Sequence, residues 1–121
     1  MEHKISYDDE HQFIYQQIIG FFTTEDALYF GKKYHEQLEG KPYKQLIVDL
    51  REAGKMESRE TRSVTNEMLN EAGFADVAFV GANAATRMIA KVLMKLGSLK
   101  AESNFFKDLD SAINWIKNRR I

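Results

Sequence analysis

Three side chains of this sequence have the types a hydrolase needs: Ser58 as nucleophile, His35 as base and Asp49 to orient it. Nothing in the chain brings them together. Ser58 stands in Met-Glu-Ser-Arg-Glu, not in the Gly-x-Ser-x-Gly turn that exposes a nucleophile at a strand-to-helix corner. Its place before a helical stretch makes it an N-cap, whose oxygen accepts a free amide of the first turn. His3, His11 and His35 lack ligand-pair spacing, so they read as surface or half-buried imidazoles, with no metal site. Cysteine is absent, which excludes disulfides, thiolate catalysis and zinc–thiolate centres. Asp8-Asp9-Glu10-His11 offers oxygen ligands but lacks the alternating acidic positions and glycine of a calcium loop, and reads as a hairpin tip. Gly81-Ala82-Asn83 could present helix amides to an anion, yet it has neither a dinucleotide fingerprint nor the Lys and Ser/Thr of a P-loop. It reads as a glycine ending a strand, with Asn83 capping the helix that follows. No cofactor is implied.

A different kind of candidate is the stretch 51–61, with Arg51, Glu52, Lys55, Glu57 and Ser58. It follows a short apolar run, Gln45–Leu50, of the sort found in strands buried on both faces. Ligands of open α/β sheets collect at the carboxyl ends of such strands.

The elements around it follow from periodicity. Lys4–Tyr7 and Gln12–Ile19 predict two strands joined by the acidic turn, with Gly20 closing the second. Thr23 with Asp26 predicts a capping box, and Ala27, Phe30, Tyr34 and Leu38 follow at helical spacing until Gly40 and Pro42. Ser58 opens a second helix with Val64, Met68 and Ala72 inward. Val77–Val80 is a buried strand, Ala84–Leu96 a helix stopped by Gly97, and Asn104–Phe106 a last strand. Asp108 caps a final helix carrying Leu109, Ala112, Ile113 and Ile116. The order ββαβαβαβα predicts one α/β domain over residues 1–121, with a mostly parallel sheet of four to five strands, an antiparallel edge hairpin and four helices.

Composition bounds the rest. A chain of 121 residues, 44% hydrophobic and 29% charged, can bury its own core. No apolar run approaches a membrane span or a signal peptide, which with the missing cysteines predicts a cytoplasmic protein. Net charge is −1, but residues 1–83 hold 9 Lys/Arg against 15 Asp/Glu, and residues 84–121 hold 8 against 3. An isoelectric point near 6.3 argues against a nucleic-acid binder.

Four pieces in order make the chain resemble the STAS domain (sulfate transporter and anti-sigma-factor antagonist), in its SpoIIAA-like branch. They are Gly20 before the Thr23 helix start, Leu46-Ile-Val-Asp49-Leu50, Phe79-Val80-Gly81 with a helix ending Met94-Lys-Leu-Gly97, and Phe106 followed by Leu109, Ala112 and Trp115. The family's Asp-Ser-Ser/Thr-Gly signature lies eight residues past the strand's Asp, where this chain reads Glu57-Ser58-Arg59-Glu60. Arg59 takes the phosphoacceptor position. The resemblance therefore implies the fold and a recognition role without the serine phosphorylation switch.

The leading expectation is a non-catalytic regulatory module that binds another protein or a second copy through Arg51, Glu57, Ser58 and Arg59. A basic stripe on the third helix, Arg87, Lys91 and Lys95, would add to this surface. On a helical wheel Ala85, Ile89, Val92, Leu93 and Leu96 form the core face and Met94 falls among the cations, exposed. The alternative is a carrier of a lipid-like molecule, which the branch's likeness to SEC14-type domains suggests, with a pocket among Phe21, Phe22, Phe30, Phe74 and Phe105. As a plain cap, Ser58→Ala should lower stability by about 1 kcal/mol in chemical denaturation, and phosphopeptide mapping after incubation in cell extract should find no stoichiometric phosphate there.

Overall fold

Residues 1–81, 83–95 and 99–120 are described by a computed structural model, the Lys95 side chain excepted. The ends read for the third helix, Leu96 and Gly97, and Ala82 before it lie outside these residues, as does the Lys95 member of the basic stripe. Strands β1 (Lys4–Asp8) and β2 (Phe13–Phe22) form the antiparallel hairpin, and Asp8 takes the His11 backbone amide at 2.9 Å in the turn. Thereafter α1 (Thr24–Leu38), β3 (Gln45–Met56), α2 (Arg59–Ala72), β4 (Asp76–Val80), α3 (Ala84–Lys95), β5 (Glu102–Phe106) and α4 (Leu109–Asn118) alternate. The sheet runs β1-β2-β3-β4-β5, parallel from β2 onward.

Crossovers of one hand place α1, α2 and α3 on one face of such a sheet. There Ile14, Ile18, Leu46, Val48 and Phe79 pack with Phe30, Tyr34, Leu69 and Leu93. The alternate residues Phe13, Ile47, Ala78 and Val80 point to the other face, which α4 covers with Ala112 and Ile116. Behind α4, Arg119 donates to Asp76 at 2.9 Å and Arg120 to Gln45 at 2.7 Å and to the hairpin carbonyl of Gln12 at 2.9 Å. The chain end is thereby latched to the amino ends of β3 and β4.

Both predicted caps form. Thr23 accepts the Asp26 amide and Asp26 the Thr23 amide, each at 3.0 Å, and Ser58 and Thr61 make the second box. His3, read as a surface or half-buried imidazole, has a buried ring. Its ring is 3% exposed, takes the Ile19 amide on Nδ1 at 2.9 Å and meets Asp26 through Nε2 at 3.1 Å. It fastens the amino terminus to β2 and to the start of α1.

Two expectations need correction. Gly20 does not close β2, which continues to Phe22, and the third strand, read as Gln45–Leu50, runs on from Arg51 as far as Met56. Charged residues and a glycine hid this extension. The reason it forms is visible in the register: Gln17 faces Asp49 and Ile19 faces Glu52, then Gly20 faces Ala53 and Phe22 faces Met56. Twice β3 advances three residues while β2 advances two, so β3 carries two bulges. Gly20 adopts φ +70° there, a conformation that other residues resist. Gly54 lies so close that a Cβ would stand 3.0 Å from the Gly20 carbonyl carbon. Paired backbone yields little, so Gly54→Ala should destabilise by about 1–3 kcal/mol and weaken hydrogen-exchange protection along Ala53–Met56, while the amides of β4 keep theirs.

Candidate functional site

β4 ends at Val80, opposite Asp49. Beyond that point β3 is paired with β2 alone, and among the described residues no strand lies on its other side. An open groove of about 640 Å³ fills the place. Its walls are Ala53, Gly54, Lys55 and Met56 of β3, Arg62 of α2, and Ala84, Ala85, Met88, Ile89 and Val92 of α3. A strand lining a surface with its face contributes alternate residues. Here four consecutive residues line it, across the second bulge, where that alternation is interrupted.

The α3 wall comes from a rotation that the wheel did not predict. Thr86, Ala90 and Leu93 are buried, Ala85 is exposed, and Ile89 and Val92 are half-buried. Thr86 turns inward because Asn83 satisfies its hydroxyl: the Asn83 carbonyl accepts from it at 3.0 Å, while Asn83 Oδ1 caps the Thr86 amide at 2.9 Å. Gly81 permits the approach, since a Cβ there would sit 2.4 Å from the Thr86 oxygen. Apolar side chains that the sequence assigns to the core are thus left toward the groove. Beside them stands Met88, 63% exposed, which the helical wheel assigns to neither side. Met94 is not exposed among cations but half-buried against the core, for the same rotation carries it inward.

On the far side of Ala84 and Met88 lies a second cleft, about 360 Å³, with Arg87, Lys91 and Lys107. Arg87 rests over the Phe105 ring at 5.5 Å. Arg87 and Lys91 are therefore exposed where the sequence placed them. Between core and groove, a narrow apolar crevice of about 30 Å³ lies beside Phe22, Leu50, Phe79 and Leu93 and shares Ala53, Gly54, Met56 and Ile89 with the groove.

The five phenylalanines read as a carrier pocket do not enclose one. Phe22 borders the crevice, Phe30 and Phe74 are packed in the core, Phe105 borders the outer cleft and Phe21 is 57% exposed. A space near 30 Å³ falls about tenfold short of a small-molecule site.

Most of the 51–61 residues expected to meet a partner hold the chain itself. The Glu57 carboxylate accepts the Thr24 amide at 3.0 Å, at the positive end of α1. Thr24 and Thr61 hydroxyls meet at 2.8 Å, joining the starts of α1 and α2, and Ser58 caps α2. Arg51 is pinned to the fully buried Asp49, whose carboxylate accepts from its Nη2 at 2.7 Å and its backbone amide at 3.0 Å. The Tyr15 hydroxyl also donates to Asp49. Arg59 is exposed. Neither His35, exposed on α1, nor Asp49 bonds to Ser58. Among the described residues no cluster of His, Asp and Glu could hold a metal ion, and no helix is long and apolar enough to cross a membrane.

A family model described as a domain of unknown function, DUF7793, matches residues 11–120. Among curated proteins no sequence matches this chain. Among solved structures, an uncharacterised protein of the DUF3478 family with a SpoIIAA-like fold, from Shewanella loihica PV-4, superposes with a TM-score of 0.69. The match covers 94% of this chain and 91% of that one at 19% identity. The fold is SpoIIAA-like.

Burial pushes the Asp49 carboxyl up, but the Arg51 guanidinium and the Tyr15 hydroxyl outweigh it and hold it below the usual carboxylate range. Tyr15 is pushed up to about 12 by its own burial and by Asp49. A carboxyl lowered on folding stabilises fully above its unfolded value, near 4, and loses that contribution as pH falls through the folded value. Asp49→Asn should therefore reduce stability at pH 7 by about 1–3 kcal/mol. In denaturation curves followed downward from pH 5, the gap to the unaltered protein should narrow.

Proposed function

The chain belongs to the DUF7793 family of domains of unknown function, and on that premise we propose that it is a non-catalytic recognition module that docks another protein in the groove between β3 and α3. The reading takes residues 1–121 as one domain working in the cytoplasm. One observation carries it: apolar α3 side chains, led by Met88, stand uncovered beside a strand that outruns its neighbour. Exposed apolar surface rimmed by charge is a mark of contact sites, and methionine adapts its shape to a partner.

The position corresponds to the carboxyl ends of the strands, where this class of sheet keeps its ligands. Regulation by a phosphate on the 57–60 segment is disfavoured, because Glu57 and Ser58 are engaged in capping two helices. A lipid-carrier role is disfavoured by the size of the internal crevice.

Met88→Glu places a charge on the apolar wall at an exposed site, so stability should stay within about 0.5 kcal/mol. Affinity capture from extract of the native cell, read for proteins and lipids and paired with light scattering, should show specific proteins lost by the variant. Identical protein capture by both forms would remove the groove from consideration.

A further inference from the structure

Resting on the groove reading, the geometry points to a definite way of binding: we propose that β3 accepts an extended acidic–apolar peptide segment as an added strand, laid in the lane that β4 vacates. β3 borders the lane with Ala53–Met56. Residues 50–56 lie beyond the last β3–β4 pair and are paired only on their β2 side. At about 3.3 Å per residue they offer some 20 Å of backbone edge, enough for a peptide of five to seven residues. Main-chain hydrogen bonds to such an edge give affinity, and pockets for alternate side chains give selectivity.

The side-chain chemistry selects the segment. Residues of an added strand alternate between the two faces of the sheet, so every second one would point to the α3 wall of Ala85, Met88, Ile89 and Val92. The crevice beside Leu50 and Leu93 opens at the groove's floor and has room for the tip of one small aliphatic side chain. The residues between would meet Lys55 and Arg62, with Arg87, Lys91 and Lys107 on the flank. No acidic residue lines either space, and among the described residues none of these five cations is in an ion pair. In a chain whose net charge is −1, that concentration calls for carboxylates at the alternate positions. It also disfavours a second copy in the same lane, since edge-to-edge pairing of two β3 strands would bring Lys55 and Arg62 of both copies together.

The lane is otherwise a liability. An exposed strand edge invites uncontrolled pairing, and proteins commonly blunt it with lysine or with bulges. β3 has both, Lys55 and two bulges, so pairing there would be selective for a segment that neutralises the cations.

The test uses the whole chain and a synthetic heptapeptide alternating Asp or Glu with Val, followed by amide resonances in an NMR titration. The expected result is saturable shifts of the 51–56 amides with slowed exchange there, and at least about tenfold weaker binding after N-methylation of alternate peptide amides. That modification keeps the peptide's side chains and removes its donors, so no protein variant needs to fold. Replacing the peptide's acids by Lys should abolish binding, and Arg62→Glu in the protein should weaken it. Equal affinity of the N-methylated peptide would overturn strand addition. Shifts confined elsewhere, no saturable binding, or a concentration-dependent dimer that protects the same amides would overturn it too. If Met88→Glu still loses its captured proteins, the groove reading survives such a failure; if it loses none, the groove itself falls.

Discussion

Gly20 and Gly54 stand side by side on β2 and β3, and the contact between their backbones is what lets the two strands remain paired through two bulges. A side chain at Gly54 would meet the Gly20 carbonyl, and one at Gly20 would have to tolerate φ +70°. Because the pair holds, β3 runs on to Met56 after β4 has stopped at Val80. The groove, its open edge and the placement of α2 all descend from that difference in strand length.

The same extension explains why the segment with the sequence context of a signalling loop is occupied with structure. Bringing Met56 opposite Phe22 sets the starts of α1 and α2 next to each other. Two helix ends with unsatisfied amides then share one neighbourhood. Glu57 reaches across to α1, Ser58 caps α2, and the Thr24–Thr61 contact ties them. On the other face, Asp49 is buried only because Arg51 and Tyr15 supply donors for its charge. These polar and charged groups are engaged with one another, although Arg51, Glu57 and Ser58 are themselves exposed, whereas the cations beside the α3 wall form no ion pair among the described residues.

Helix α3 joins the two regions. Its buried side is set by Gly81 and by the Asn83–Thr86 exchange, and Asn66 donates to the Leu93 carbonyl at 3.0 Å to fix it against α2. A threonine with a satisfied hydroxyl thereby takes a core position ahead of an alanine, and Ala85, Ile89 and Val92 are left toward the groove beside Met88. Eight of the twelve α3 residues are apolar, more than one buried stripe requires. That excess is a sign, readable in the sequence, of an apolar wall outside the core.

Local rules were enough for much of this protein. Element order, the hairpin, three capping residues (Thr23, Ser58 and Asp108) and the alternation of parallel strands with helices are legible in the sequence, because each depends on neighbours within a few residues or on a simple period. Arg87 and Lys91 were legible as exposed cations for the same reason. The length of β3, the rotation of α3 and the burial of His3 were decided by tertiary structure. Arg-Glu-Ala-Gly-Lys has no strand pattern of its own; it is extended because β2 lies beside it and two glycines let the backbones touch. A helical wheel weighs only hydrophobicity, so it cannot see that Asn83 makes a buried Thr86 acceptable. His3 is buried because Ile19 and Asp26, far along the chain, offer both of its ring nitrogens a partner. For β3 and His3 the deciding contacts join residues far apart in the chain, which no local pattern encodes; the Asn83–Thr86 exchange spans only three residues, and what the sequence leaves open there is which side of the helix is buried.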